Sequence, residues 1–250
     1  RGWWLWAWGC GFGFQLVVIA LAPALILPWF NRFTPLPEGN LRQRLLGLAD
    51  RVGFRARGVQ VMDGSRRSRH SNAFFAGFGR FRRIVLFDTL LEQLTEAELV
   101  AVLAHELGHW KRRHVAKGLL ASAGLMGIGF YALSRLALAG WFYEAFGFAV
   151  GNITPAFLVF GLLGGVMGFW LTPAVNAWSR RHEYQADAFA VAILGEPGSL
   201  IGALRKLNER NLSHLTPDPF YSFFFHSHPT LLEREARIGN QRRQRRIKDA

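Results

Sequence analysis

The stretch His105-Glu106-Leu107-Gly108-His109 places two imidazoles four residues apart, with a carboxylate beside the first. On an α-helix such residues project from the same face, so each histidine can give one nitrogen to a single ion. A helical H-E-x-x-H is typical of a zinc peptidase, in which the glutamate is the general base. The competing interpretation is an ordinary polar helix face. The motif predicts Zn²⁺ bound by His105 and His109, with Glu106 as the catalytic base.

The residues before the motif predict the helix that it needs. Thr95 is followed three residues later by Glu98, a spacing typical of a capping box at a helix N-terminus. Apolar residues then recur at helical spacing, at Leu99, Val102, Leu103 and Leu107. The motif is therefore expected on a helix that begins close to Thr95.

The composition combines many apolar residues with an excess of basic ones. Apolar residues make up 50% of the chain, and 30 Lys and Arg stand against 17 Asp and Glu. This mixture is typical of a membrane protein with basic faces in water. A net charge of +13 also suits nucleic acid binding, but the basic residues flank apolar segments, where they would meet anionic lipid. We therefore expect membrane lipid, and no nucleic acid, as a partner.

Three uncharged stretches are long enough to predict transmembrane helices. The first runs from Gly2 to Asn31 and carries a cluster of tryptophans near its start, as interfacial segments do. A signal peptide is its alternative interpretation. The other two, Gly118 to Ser134 and Ala145 to Ser179, predict a transmembrane hairpin. Their alternative is a pair of buried helices in a soluble domain.

The distribution of charge predicts the topology. Residues 31–116 and 179–250 are rich in Lys and Arg, whereas the connection from Ala139 to Thr154 has one charge, that of Glu144. Both basic segments are thus expected on one side, and the positive-inside rule makes that side the cytoplasm. The expected organisation is a transmembrane helix at 1–30, a first catalytic half at 31–116, a transmembrane hairpin at 117–179 and a second catalytic half at 180–250.

A catalytic zinc needs a third protein ligand, and one candidate follows the hairpin. Glu183 and Asp187 are four residues apart within an apolar helical pattern. Glu183 could bind the metal, and Asp187 could accept the free N–H of a ligating imidazole and so set its tautomer. Taken alone, the segment favours a charged face in which Arg180 or Arg181 pairs with Glu183. The zinc motif reverses that preference. His182 is expected to point elsewhere.

Two runs of strand-forming residues precede the motif helix. Asn72–Phe78 and Arg82–Asp88 flank a turn that contains Gly79 and predict a β-hairpin. An edge strand beside a metal could hold an extended substrate by main-chain pairing. The alternative is a hairpin that only supports the helix. The predicted substrate contacts are Asn72, Ala73 and Gly77.

Two histidines and an arginine near the C-terminus complete the candidate site. His226, His228 and Arg234 lie after the third predicted ligand. A His or Arg near the metal could stabilise the oxyanion that forms when water attacks a peptide carbonyl. Two surface histidines in a loop are an equally consistent interpretation. The expected fold is mainly α, with about three transmembrane helices and a zincin-like α+β catalytic portion that contains a short β-hairpin.

In this order the segments resemble the type I CAAX prenyl protease, an integral-membrane zinc peptidase. The blocks are Phe30–Leu36, Met62–Ser68, Ser71–Ala73, Ile84–Leu90, His105–His109, Glu183–Asp187 and Ser227–Pro229 with Arg234. The resemblance implies zinc on His105, His109 and Glu183, activation of water by Glu106, and a site that includes Asn72, Asp187, His228 and Arg234. It also implies more than three membrane helices and a substrate prenylated at a C-terminal CAAX motif.

The sequence leaves the source and the exact role of the protein open. Because the sequence begins with Arg1, either N-terminal membrane helices are missing or the protein is a shortened relative. The abundance of Arg, Gly and Ala indicates a bacterial source and hence the inner membrane, whereas a eukaryotic member would lie in the endoplasmic reticulum. General membrane-protein quality control and a catalytically silent zinc scaffold are the alternative functions.

Overall fold

The computed structural model describes residues 2–68, 71–77, 82–150, 152–210 and 214–248, with side chains as far as residue 240. Most of this part of the chain is helical. The helices are α1 (Trp3–Leu21), a π-helical turn (Ala22–Ile26), α2 (Leu27–Phe30), α3 (Asn40–Arg51), α4 (Asp88–Gln93), α5 (Glu96–Lys111), α6 (His114–Leu136), α7 (Gly140–Ala145), α8 (Ile153–Leu194), α9 (Gly198–Arg210), α10 (Pro219–Phe225) and α11 (Leu231–Lys248). The strands are β1 (Phe33–Pro35), β2 (Val59–Met62), β3 (Ala73–Ala76) and β4 (Arg83–Phe87).

Three helical segments among the described residues are long and apolar enough to cross a membrane. They span Trp3–Phe30, His114–Leu136 and Ile153–Leu194. Their large apolar side chains are exposed, for example Trp6 at 79% and Leu162 at 75%. Apolar surface on this scale needs a lipid covering. The predicted three membrane helices are therefore confirmed. Pro23 is accommodated in the π-helical turn of the first segment, and Pro28 in the first turn of α2.

Helix α8 is longer than the sequence suggested. It continues without a break from its apolar part through Ser179 and Arg180 to Leu194, and it keeps Pro173 in its interior. No glycine or proline interrupts the chain between Arg180 and Leu194, so the helix has no local reason to end there. The division predicted at residue 180 thus falls inside one helix, and Glu183 and Asp187 lie on the continuation of a membrane-spanning segment.

The chain forms two compact units. One comprises Arg1–Ile19 and Val115–Val175, and the other Ala20–His114 and Asn176–Ala250. In the first unit, the Trp8 indole N–H donates to the carbonyl of Ala123 at 2.9 Å, which ties α1 to α6. Its small buried cluster consists of Phe142, Tyr143, Ala156 and Val159.

The second unit contains a four-stranded mixed sheet in the order β1-β2-β4-β3. Strands β3 and β4 are antiparallel, with Ala73 opposite Leu86, which confirms the predicted hairpin. The turn with Gly79 lies outside the described residues. The sheet is larger than the predicted hairpin, because β2 adds in parallel to β4 and β1 pairs antiparallel with β2. Strand β3 is an edge of this sheet within the described chain.

The motif helix α5 lies in the core of the second unit. The capping box is confirmed: the Glu98 carboxylate accepts from the Thr95 backbone N–H at 2.8 Å, and the Glu98 N–H donates to the Thr95 hydroxyl at 3.4 Å. Helix α5 packs against α3, α9 and β3. Fully buried residues that hold it there include Leu45, Leu48, Ile84, Leu86, Leu103, Leu107, Leu200 and Ala203. The two histidines are thus presented from a rigid element.

Candidate metal centre

The close approach of α5 and α8 creates the site. A Cβ placed on Gly108 would lie 2.9 Å from the Cα of Ala186 and 3.1 Å from its carbonyl oxygen. This close approach to the Ala186 backbone is possible only because Gly108 has no side chain. Gly108 belongs to the first metal motif, and Ala186 to the segment that carries Glu183. The two small residues therefore bring the candidate ligands of separate helices together.

We expect Gly108→Ala to weaken the metal site, because the added methyl group forces the helices apart. Overpacking of this kind costs about 1–3 kcal/mol of stability, and the displacement of Glu183 from the histidines should lower zinc affinity by about tenfold or more. The matched control is Gly47→Ala on α3, where an added Cβ meets nothing within 4 Å. Zinc affinity should fall in Gly108→Ala and stay parental in Gly47→Ala, and the unfolding temperature should fall only in Gly108→Ala, since an exposed helical Gly→Ala change tends to stabilise. Unchanged affinity in Gly108→Ala would contradict a site built on this contact.

Three side chains form the candidate ligand set: His105, His109 and Glu183, whose ligand atoms all lie within 4.8 Å of one another. The two Nε2 atoms are 3.1 Å apart. The Glu183 carboxylate lies 3.5 Å from the Nε2 of His105 and 3.4 Å from that of His109. The set is buried at Glu183 and His105, where relative exposures are 5% and 9%.

This donor set fits zinc. Zinc binds imidazole nitrogen and carboxylate oxygen at roughly 2.0–2.2 Å, and tetrahedral angles then separate neighbouring ligand atoms by roughly 3.3–3.5 Å. The three separations of 3.1, 3.5 and 3.4 Å are of this size. Three protein ligands also leave a fourth tetrahedral position open, as in catalytic rather than structural zinc sites.

A hydrogen bond between Asp187 and the Nδ1 of His105 sets the tautomer of this ring. Its Nδ1 lies 2.9 Å from a carboxylate oxygen of Asp187. A carboxylate only accepts, so Nδ1 carries a proton and donates it to Asp187, and Nε2 is the nitrogen that faces the other candidate ligands. Asp187 is itself held by Arg234, whose Nε and Nη2 donate to its two oxygens at 2.8 and 2.6 Å. Such a bidentate pair fixes the plane of the carboxylate.

The charges of the site shift the ionisation of its members. Burial lowers the pKa of His105, but hydrogen bonds with Asp187 and Glu183 outweigh it and raise the pKa to about 9. Burial is the main cause that raises the pKa of Glu106, and the Glu183 charge adds to it. A carboxylate with a raised pKa is a better proton acceptor, which suits a general base.

The predicted oxyanion residues both lie beside Glu183. His228 places its Nδ1 3.3 Å from a Glu183 oxygen, and this contact raises the pKa of His228 against the opposing effect of burial. Arg234 places its Nη1 3.7 Å from the other Glu183 oxygen. The bond to Asp187 makes Arg234 a positioning group in addition to the proposed role. His226 is held differently, since its ring lies 3.4 Å from the Ser222 hydroxyl.

Arg180, one of the two alternative partners predicted for Glu183, is engaged elsewhere. The guanidinium of Arg180 donates to the backbone carbonyls of Ser222, Phe223 and His226. It therefore anchors the end of α10 and the residue after it to α8. The Asn176 amide donates to the carbonyl of Phe224 at 2.7 Å and strengthens the same junction. This arrangement holds the loop of His228 near the metal ligands.

The predicted substrate contacts lie on the edge strand and not among the metal ligands. Asn72 precedes β3, its carbonyl accepts from the N–H of Phe87, and its side-chain oxygen accepts from the N–H of Ala73. Ala73 is the first residue of β3. Gly77 comes directly after the strand, with φ +87°, a conformation that favours glycine. Because α5 packs against β3, this edge runs alongside the motif helix.

Sequence reasoning missed two polar residues at the site, His114 and Gln185. Nδ1 of His114 lies 3.0 Å from Nδ1 of His109, and its Nε2 lies 3.0 Å from the side-chain oxygen of Gln185. Gln185 stands between Glu183 and Asp187 in sequence, and His114 is five residues beyond the motif. The available signal was a further histidine near the motif, but its spacing does not match the face of the ligands.

Comparison with known proteins identifies the family. The sequence model of peptidase family M48 matches residues 35–242, which contain every residue of the candidate centre. The chain belongs to peptidase family M48. This M48 chain is 41% identical to the Arabidopsis thaliana CAAX prenyl protease 1 homolog over 224 residues, 89% of this chain and 53% of that protein. It is also 41% identical to CAAX prenyl protease 1 of Saccharomyces cerevisiae over 232 residues, 86% of this chain and 51% of the relative.

A solved structure supports the same assignment. The crystal structure of S. mikatae Ste24p superposes with a TM-score of 0.83 at 38% sequence identity, and the match covers 94% of this chain and 57% of that one. The resemblance inferred from the sequence blocks is therefore confirmed. The M48 chain spans about half the length of the curated relatives that it matches.

Proposed function

We propose that this M48 chain is a zinc-dependent integral-membrane endopeptidase that acts on proteins prenylated at a C-terminal CAAX motif. The observation that carries the proposal is the convergence of His105, His109 and Glu183, with Glu106 beside them on α5. The relatives named CAAX prenyl protease supply the substrate class. The three apolar helices make it a membrane protein.

Zinc would be held by His105, His109 and Glu183. When bound, it supplies Lewis acidity, which polarises a peptide carbonyl and lowers the pKa of a water molecule. Glu106 is the base that takes a proton from the attacking water and passes it to the leaving amine. His228 and Arg234 provide N–H donors next to Glu183, where they would stabilise the negative charge that develops on the carbonyl oxygen.

The substrate would lie as an extended strand along β3. Within the described chain, β3 pairs on one side with β4. Its other edge can add a further strand through main-chain hydrogen bonds, a common mode of peptide recognition. Asn72 is exposed at the start of this edge, where its amide would contact a substrate carbonyl or N–H. Such pairing accepts many side chains and requires an unfolded substrate segment.

Membrane lipid is the second proposed partner. Trp29 and Phe30, at the end of the first apolar segment, are 83% and 56% exposed, as expected for interfacial aromatic residues. These two aromatic residues also line an open cavity of about 440 Å³. Its other lining residues include Arg32, Arg66 and Arg67. Basic residues next to an apolar membrane segment can meet anionic lipid head groups. The catalytic side is proposed to face the cytoplasm, from the inner membrane of a bacterium or from the endoplasmic reticulum of a eukaryote.

A peptidase assay tests the proposed function. The purified chain in detergent is given a farnesylated CAAX peptide and its unprenylated twin, each with and without a zinc chelator. We expect cleavage of the farnesylated peptide, loss of cleavage with the chelator and recovery with added Zn²⁺. Equal cleavage of both peptides would support general membrane-protein quality control instead. Bound zinc with no hydrolysis would support a scaffold, and chelator-resistant cleavage would contradict a metallopeptidase.

A further inference from the structure

His114 occupies an unusual place for a residue that contacts the motif. It is the first residue of α6, and on a continuous helix a residue five positions after His109 would be turned away by about 140°. Arg113, with φ +56°, breaks the helix in the left-handed region that non-glycine residues rarely adopt. This break returns the His114 ring to His109, and the residue is buried, with a relative exposure of 6%.

We propose that His114 is a positioning residue that sets the tautomer of His109, and that Gln185 sets the tautomer of His114. The inference deepens the proposed function, because it concerns the second imidazole that would bind zinc. Asp187 performs this task for His105 with a charged carboxylate. His109 receives it from a neutral ring instead, through a chain of two hydrogen bonds.

The direction of the two hydrogen bonds follows from the contact with Gln185. The atom that faces His114 is the side-chain carbonyl oxygen of Gln185, at 3.0 Å from Nε2, and this oxygen can only accept. Nε2 of His114 therefore carries the proton, and its Nδ1 accepts. The facing Nδ1 of His109, 3.0 Å away, must then be the donor. Nε2 of His109 is left with the lone pair that a metal requires.

If the two hydrogen bonds ran in the opposite direction, His109 could not bind the metal. If the amide group of Gln185 donated to His114, Nδ1 of His114 would donate to His109, and the proton of His109 would move to Nε2. That nitrogen faces Nε2 of His105 at 3.1 Å and Glu183 at 3.4 Å, where a ligand needs a lone pair. Only the direction with the Gln185 oxygen as acceptor gives two ring nitrogens that can bind one ion.

Stacking holds the His114 ring in place. The ring lies parallel to that of His182, with centroids 3.9 Å apart and planes 8° apart, and His182 contacts Trp178 at 4.7 Å. His182, Gln185 and the ligand Glu183 all belong to α8. Helix α8 thus supplies one ligand directly and controls another through His114.

Two substitutions of His114 separate positioning from packing. His114→Phe keeps an aromatic ring for stacking but removes the acceptor, whereas His114→Asn keeps an oxygen near the position of Nδ1. Loss of an outer partner of a metal ligand typically costs 10–100-fold in affinity. We expect His114→Phe to raise the zinc Kd by about 10–100-fold and His114→Asn to stay within about threefold of the parent. Equal losses in both variants would overturn the proposal.

A readout other than peptide cleavage distinguishes this inference from the proposed function. In the zinc-loaded chain, ¹⁵N shifts of the His109 ring report which nitrogen binds the metal, and proton exchange reports whether its Nδ1–H is shielded from water by a hydrogen bond. We expect binding through Nε2 with a shielded Nδ1–H in the parent and in His114→Asn, and faster exchange of this proton in His114→Phe and in Gln185→Leu. A parental His109 whose Nδ1–H exchanges as fast as in His114→Phe would overturn the proposal. A parent that has the expected tautomer but cleaves nothing would leave the inference standing and refute the peptidase assignment.

Discussion

Glu106→Gln should abolish peptide hydrolysis while the chain keeps its zinc. The amide is nearly isosteric with the carboxylate but cannot take a proton from water, and loss of a general base typically costs about 10²–10⁴-fold in rate. Glu106 is not one of the three residues whose ligand atoms converge, so the metal site should stay intact. Burial raises the pKa of Glu106, which makes this carboxylate the better proton acceptor that the proposed base requires.

The measurement pairs kcat/KM for the farnesylated peptide with the zinc content of the same sample. Glu209→Gln is the matched control, because Glu209 is an exposed glutamate of α9 and its substitution removes an equal charge. The control should retain parental activity and zinc. A Glu106→Gln variant that cleaves at the parental rate would refute the role of Glu106. A variant that loses its zinc would show that Glu106 belongs to the ligand set.

Glu183→Gln should remove zinc and activity together. The anionic carboxylate lies within 3.5 Å of both histidine nitrogens, and a neutral amide oxygen is a much weaker ligand. The substitution also leaves the Arg234 and His228 donors beside a group without charge. We expect the zinc Kd to rise by at least about 100-fold, above the range seen for outer partners of metal ligands.

Chelator competition on the purified chain measures this change, again with Glu209→Gln as the control. The two site variants then distinguish a metal ligand from a base. Glu106→Gln should lose turnover and keep its metal, whereas Glu183→Gln should lose both. Retention of zinc at parental affinity in Glu183→Gln would show that α8 does not supply the third ligand. Loss of activity with full zinc would instead give Glu183 a role in the chemistry.

This chain covers only part of the length of its M48 relatives, which affects what an assay of it can test. The described chain carries both metal motifs, the edge strand and the loop of His228 within the region that the family model covers. Its matches extend over 51–53% of the two curated relatives. An assay of this chain by itself therefore asks whether the metal centre and edge strand are sufficient for hydrolysis.

Local patterns in the sequence determined much of this protein. The H-E-x-x-H spacing, the capping box at Thr95 and the three uncharged segments each depend on neighbours within one helix, where periodicity and composition set the outcome. The hairpin of β3 and β4 was also predictable, since short runs of strand formers on either side of a turn pair locally. The short strands β1 and β2 carried no comparable signal, and β2 pairs in parallel with β4 across a long connection.

Only the tertiary structure decided how the motifs meet. Asp187 contacts His105 across 82 residues and Arg234 across 47, and no periodicity records such distances. The contact of Gly108 with Ala186 sets the separation of the two motif helices, and the left-handed Arg113 turns His114 back to His109. The candidate ligands follow from residue type and helical spacing, which are local. The tautomer and alignment of each ligand depend on packing between helices, which the sequence specifies only through the complete fold.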